Sequence, residues 1–455
     1  MKSDFLRSLL VLLILGYPKS YSQTTDTLKF GVLRQNDDIS MLKTKENKTV
    51  YEDSKWIPIA KNYAMSFGGG YRFQTEGFLN QDFSRTEKED NIWFLNRLMF
   101  YSKFELGTKL DFFLELNSSL VNNKRDVSPV DRDEVATNQV FIKYNFFPNY
   151  ELHLGRENIK LGSGRLVDYR EGPNVRRSFD LIKFNYSKNN LQLALFFSIP
   201  VQPNYYAFDN DFLDFQETFS GFYLTKALSE TSNIDLYGFY QKDDNTTYAT
   251  GTANERRYSI GTRLFGSLHS IKFDNEAVYQ WGNFGNQKIS AYTLSINCSH
   301  NINLVSNTDI IGLKTELISG DKNATDNKLN TFDALYPRGA YFGRVAKFGP
   351  SNLIDLHPYI NLKLKKNYYV ELDYELFWRY SVYDAIYGAS LHPDYLATNT
   401  KSFTAQQFGT VIGCDYTNHL NLEFETNTIF PADYFKTNHK SSTLFHAVIS
   451  LEYKF

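Results

Sequence analysis

Long apolar runs are missing from this chain, cysteine is nearly so, and neither sign of charge prevails. Beyond the first residues no stretch approaches the roughly eighteen consecutive apolar residues of a membrane-spanning helix, so no transmembrane helix is expected. Two cysteines in 455 residues cannot supply a disulfide framework. Cys298 and Cys414 each continue an apolar column, Tyr292, Leu294, Ile296 and Ile412, Tyr416, on segments that should not be neighbours, and are expected unpaired. The balance of 49 basic against 51 acidic residues, a net charge of -2, argues against a nucleic-acid partner. With only eight histidines, a hydrolase is poorly provided for. Glu151 and His153 share a face, but no serine partner is evident, and a structural histidine is the simpler reading.

What the chain does have is aromatic residues and alternation. It holds 38 Phe and 32 Tyr, yet its mean hydropathy is -0.42. A barrel with a wet lumen produces this combination, because only every second residue faces lipid. The last eleven residues show the pattern, with Phe445, Ala447, Ile449, Leu451, Tyr453 and Phe455 on one face. Val370, Leu372, Tyr374, Leu376 and Trp378 oppose Glu371, Asp373, Glu375 and Arg379 in the same way. Eighteen such segments run from 63–76 to 442–455. Short connections such as Gly107-Thr108, Pro148, Lys366-Asn367 and Thr417–His419 alternate with long ones at 77–91, 119–134, 158–177, 200–216, 242–254, 318–351, 381–401 and 431–441, with a shorter one at 282–287. Bacterial barrels pair periplasmic turns with external loops in this manner. The expected fold is therefore all-β, a transmembrane antiparallel up-and-down barrel of about 18 strands with both termini periplasmic. A soluble solenoid or pair of sandwiches would also alternate, but needs no outward aromatics.

Three regions are expected. Residues 1–22, with Lys2 and Arg7 before the apolar Leu9 to Leu15 and small residues at Ser20 and Ser22, read as a signal peptide. Residues 23–62 form a periplasmic segment, too short for the plug of a TonB-dependent transporter, and 63–455 form the barrel. The strand phases line the lumen with Arg72, Arg97, Arg257, Arg263 and Arg379, and with Glu371, Asp373, Glu375, Glu423 and Glu425. That mixed-sign wall suits a hydrated pore. The densest feature is GRENIKLGSGRLVDYREGPNVRRSFD, Gly155 to Asp180, where arginines interleave with glycines. Glycines let the backbone approach a ligand, and guanidinium forks recognise carboxylates bidentately. The segment reads either as a constriction or as an external loop whose arginines pair with Glu157, Asp168, Glu171 and Asp180. Arg156 shares the outward phase of Leu152 and Leu154, so a bulge or strand end is expected to turn it from lipid.

The same run, with FGVLRQNDDISML (Phe30 to Leu42), KWIPI (Lys55 to Ile59), LYPRGAYFG (Leu335 to Gly343), GPSNL (Gly349 to Leu353), LHP (Leu356 to Pro358) and FWRYSVYDAIY (Phe377 to Tyr387), resembles the alginate-export family of outer-membrane porins in its Bacteroidota branch. The resemblance implies a monomeric eighteen-stranded barrel in the outer membrane of a Gram-negative bacterium, inserted by the barrel-assembly machinery, with arginine-lined selectivity for an anionic uronate polymer. The many lumen carboxylates depart from a strongly electropositive conduit. Arg165, Arg170, Arg176, Arg177, Arg338 and Arg379 are the candidate pathway and constriction residues, for alginate or another anionic polysaccharide or oligosaccharide moving passively. No catalysis, cofactor or metal is expected. A porin for neutral sugars or small nutrients is the competing reading.

Overall fold

A computed structural model describes residues 28–85, 90–364 and 367–455; the expected signal peptide lies outside the described residues, as does Lys366 of one short turn. Eighteen antiparallel strands close into a barrel: β1 (Tyr63–Leu79), β2 (Asn91–Leu106), β3 (Leu110–Asn122), β4 (Asp133–Phe147), β5 (Tyr150–Glu157), β6 (Phe179–Lys188), β7 (Leu191–Pro200), β8 (Glu217–Ala227), β9 (Ser232–Tyr248), β10 (Gly251–Leu268), β11 (Ile271–Phe284), β12 (Gln287–Ile302), β13 (Asp309–Ile318), β14 (Leu353–Lys363), β15 (Tyr368–Arg379), β16 (Phe403–Asp415), β17 (Leu420–Pro431) and β18 (Leu444–Lys454). Each pairs with its neighbours in sequence, and β18 returns to β1 in a register running from Gly70 opposite Lys454 to Leu79 opposite Phe445. Closure leaves no free edge among the eighteen barrel strands described, which is what allows strands to stand in lipid. The terminal Phe455 extends the seam by exchanging backbone hydrogen bonds with Gly69 at 2.8 and 3.0 Å. A Cβ on Gly69 would overlap both the Phe455 ring and the Met99 carbonyl, so the seam needs glycine there.

Alternation sets the two faces. On β12, Tyr292, Leu294 and Ile296 are exposed on the outer wall, while Ala291, Thr293 and Ser295 are buried inside. Outward rings pair across strands, as Tyr258 does with Trp281 at 5.6 Å between centroids. Cys298 and Cys414 are free, on β12 and β16, in the outward columns expected of them.

Two connections differ from expectation. The alternation of β9 and β10 continues past residue 241, and the hairpin closes at Ala249-Thr250 with Tyr248 opposite Gly251, so 242–254 is strand overhang rather than a long loop. The 282–287 connection likewise shrinks to Gly285-Asn286. Hydrophilic residues such as Asp243, Asp244 and Asn245 read as loop because lipid no longer selects residue type beyond the membrane rim.

Ahead of β1, residues 28–62 carry short 3-10 turns at Arg34–Asn36 and Ser40–Lys43 and one helix, α1 (Val50–Lys55). A capping box starts the helix, the Thr49 hydroxyl accepting from the Glu52 N–H while Glu52 accepts from the Thr49 N–H. This segment folds back onto the barrel wall. Lys55 donates to the Phe67 carbonyl at 2.6 Å, and Arg34 donates to the carbonyls of Gly69 and Phe455 with its guanidinium 5.2 Å from the inward Tyr101 ring.

Candidate functional site

The loop between β5 and β6, residues 158–178, enters the lumen. Its backbone can reverse there because Gly162 and Gly164 adopt φ values of +54° and +75°. It then spans the barrel between opposite walls. On one side Arg165 meets Glu276 of β11 at 3.3 Å and bonds Ser295 of β12 and Glu316 of β13. On the other, the Asn174 amide donates to the carbonyls of Asn96, Leu120 and Asp131 at 3.0 to 3.2 Å.

At that second wall lies a cluster of guanidinium groups. Glu171 receives Arg176 Nε at 2.5 Å and Arg97 Nη2, while Arg72 Nη1 stands 3.7 Å away. Arg72 also donates to the carbonyls of Glu171 and Pro173 at 3.1 and 3.0 Å. Burial alone would raise the Glu171 carboxyl, but Arg176, Arg97 and Arg72 outweigh it and hold the group well below the usual carboxylate range. A third of its side chain stays exposed. The cluster borders a small cavity of about 20 Å³, lined by Arg34, Arg72, Arg97, Arg176, Glu115, Glu452 and Lys454 among others. Arg72 Nε and Arg97 Nη1 are buried beside it with no hydrogen-bond acceptor among the described residues.

A second loop, residues 319–352 between β13 and β14, clasps the first. Val167 and Tyr336 form a parallel bridge, with Asp168 N–H donating to the Tyr336 carbonyl and Tyr336 N–H to that of Leu166. Arg338 N–H donates to Gly164, and Arg177 donates to Pro337 while its guanidinium lies 5.3 Å from the Tyr336 ring. Gly172 and Gly339 permit this approach: a Cβ on Gly172 would come within 3.1 Å of Ala340 N. Arg344 continues to the far wall, where it pairs with Glu423 and Glu425 of β17. Between the loops and the walls lies an apolar core of Phe179, Phe219, Phe239, Tyr336, Phe342 and Phe377. The lumen is thus less open and less hydrated than the alternation implied.

The sequence candidates separate into three groups. Arg176 joins Arg72 and Arg97 at the Glu171 cluster. Arg165, Arg177 and Arg338 fasten the loops, and Arg170, held in the left-handed region at φ +59°, donates to the Val175 carbonyl within its own loop. Arg379 stands apart, giving its guanidinium to the carbonyls of Val382, Asp384, Asn399 and Lys401 and so ordering the loop after β15. Of the wall residues, Arg257 is fully buried against Glu255, Gln280 and Tyr248, and Arg263 is held by Asp235 and Asp274. Glu371, Asp373 and Glu375 form an acidic strip on β15. His153 is flanked by Glu151 and Glu157 at 2.6 and 3.1 Å.

Arg34 and Arg344 are the contributors that sequence reasoning missed. Arg34 lies in a motif quoted for the resemblance and Arg344 directly follows one, but nothing local to either predicts its partner. Arg156 is a correction. It keeps its outward phase and is covered from outside, forked onto Asp180 at 2.7 and 2.9 Å beneath the loop 201–216, whose Asp211 carbonyl it also reaches. That loop lies along the outer wall, Ala207 bridging to Val135 of β4.

Solved structures with the same fold include OpdO of Pseudomonas aeruginosa, 11% identical with a TM-score of 0.59, over 86% of this chain and 97% of that one. OpdQ of the same organism matches with equal identity, score and coverage. The Pseudomonas aeruginosa OpdK structure with vanillate is 12% identical at a TM-score of 0.55, over 86% of this chain and 98% of that one. No curated protein matches the chain in sequence. The family model for alginate export matches residues 63–448, the barrel from its first strand into its last. Fold and family give an outer-membrane porin channel of a Gram-negative bacterium. The chain belongs to the alginate export family.

Proposed function

We propose that this porin passes a hydrophilic, anionic carbohydrate, a uronate polymer or oligomer such as alginate, by passive movement along the arginine side of the lumen. The observation that carries this reading is the convergence of Arg72, Arg97 and Arg176 on one carboxylate, with Arg72 Nε and Arg97 Nη1 still unsatisfied beside it. Buried donors without acceptors are costly, and a passing carboxylate relieves that cost by accepting from them. Glu171 then stands where a sugar carboxylate would bind. The adjoining cavity of about 20 Å³ has room for roughly one water, so passage of a sugar requires the 158–178 loop or the 28–62 segment to shift. The barrel acts as a monomer in outer-membrane lipid, placed there by the barrel-assembly machinery.

Neutral sugars or small nutrients remain the second reading, favoured by the acidic strip Glu371, Asp373 and Glu375 facing the same lumen. Single-channel recording separates the two. Block by uronate oligomers and not by neutral glucans is expected; equal block by both would favour the neutral-sugar reading.

A further inference from the structure

We propose that His357, Asp373 and Glu375, on the lumen face of β14 and β15, form a binding site for a divalent transition-metal cation of the Zn2+ type. Strand register brings them together. The β14–β15 ladder pairs Leu356 with Leu376 and Tyr359 with Asp373, which sets His357 opposite Glu375 and Asp373 two residues further along the same face. One donor atom from each residue lies within 4.8 Å of the other two. A tetrahedral centre with bonds of about 2.1 Å needs donors about 3.4 Å apart, within reach of small side-chain rotations.

Clustered acids alone would carry no such assignment. The second observation is the state of the donors. His357 Nδ1 lies 2.9 Å from Glu375 Oε1, yet this nitrogen has no hydrogen-bond partner among the described residues, so the contact lacks hydrogen-bond geometry. Glu375, only 1% exposed, leaves its other oxygen unpartnered as well. Beside them Asp355 is fully buried with neither oxygen hydrogen-bonded. The nearest basic side chain by register, Lys314 opposite His357 on β13, stands 3.0 Å from Glu316, its Nζ likewise without a hydrogen-bond partner among the described residues. Among the described residues no lysine or arginine pairs within 4.0 Å with Asp355, Asp373 or Glu375. Buried carboxylates persist when paired, protonated or bound to metal, and a dication resolves this excess while using the lone pairs that lack protons.

The ligand set selects the ion. One imidazole with two carboxylates suits Zn2+ and its neighbours, whereas Ca2+ and Mg2+ prefer oxygen alone. Three protein donors leave a coordination position, and the partly exposed His357 and Asp373 leave it open to the lumen. The proposal departs from the metal-free expectation of the sequence and does not depend on the identity of the transported solute.

The test uses the full, untagged chain in detergent, stripped with EDTA and titrated calorimetrically with ZnCl2. One Zn2+ per chain is expected, bound at least tenfold more tightly than Ca2+. His357→Ala and Asp373→Asn should each weaken binding at least tenfold with the heat-modifiable gel shift retained, while His392→Ala, at an exposed histidine in the loop after β15, should not. The titration of the unaltered chain stands even where a variant fails to fold. No stoichiometric Zn2+, a preference for Ca2+, or full affinity in a folded His357→Ala would each overturn the site.

Discussion

Glu171 illustrates how one side chain can hold a loop across a pore. Three guanidinium groups face its carboxylate, and an amide in its place would leave them without a counter-charge in a region of weak screening. Glu171→Gln is therefore expected to release the 158–178 loop and raise single-channel conductance; unchanged conductance would show that Arg165 and Asn174 pin the loop without it. The carboxyl is held below its ordinary value, so its contribution is present above the unfolded pKa near 4.5 and lost as pH falls below that. Conductance should accordingly show no loop transition between pH 8 and 5. The proposed charge selectivity rests on the same residues. Arg97→Ala with Arg176→Ala should lower anion over cation permeability in reversal-potential measurements, whereas Lys322→Ala with Lys328→Ala, in the external part of the 319–352 loop, should leave it unchanged. Equal effects from the two pairs would remove the constriction role.

At the scale of elements, strands were legible and loop destinations were not. A strand such as β15 declares itself because lipid demands an apolar residue at every second position, from Val370 to Trp378. The inward phase of Arg72 and Arg97 followed from the same rule. The loop carrying Arg176 obeys no such rule: its place depends on Glu276 and Glu316, more than a hundred residues away, and on Tyr336 of another loop. Composition left a constriction and an external loop of salt-bridged arginines as alternatives; the loop enters the lumen, with Arg165 and Arg176 paired to carboxylates and Arg170 and Arg177 held by backbone carbonyls. Turn lengths carry the expected orientation, short turns periplasmic and long loops external. A tag inserted at Ala324 should be reachable from outside intact cells, and one at Asn367, in the tight β14–β15 turn, should not; surface labelling at Asn367 would invert the barrel.

For the whole molecule, stability rests on closure and on lumen packing rather than on covalent links. The free Cys298 and Cys414 lie on strands four apart around the ring, β12 and β16 being separated by β13, β14 and β15. Replacing both with Ser should leave the heat-modifiable gel shift of the folded barrel intact, and loss of that shift would mean that they matter to folding. Arg34, by contrast, ties the 28–62 segment to the Gly69–Phe455 seam, where first and last strands meet. The segment before the barrel is in this way part of its closure.

Sequence alone determined the barrel, its strand number and its two faces, because alternation is a local property imposed by lipid on one side and water on the other; the family was legible separately, through the resemblance of its ordered motifs. Only the tertiary structure decided that two loops fill the lumen, that Arg156 is covered from outside, and that His357 meets Asp373 and Glu375. Those outcomes are set by strand register and by partners far apart in the chain, which become neighbours only when the sheet closes.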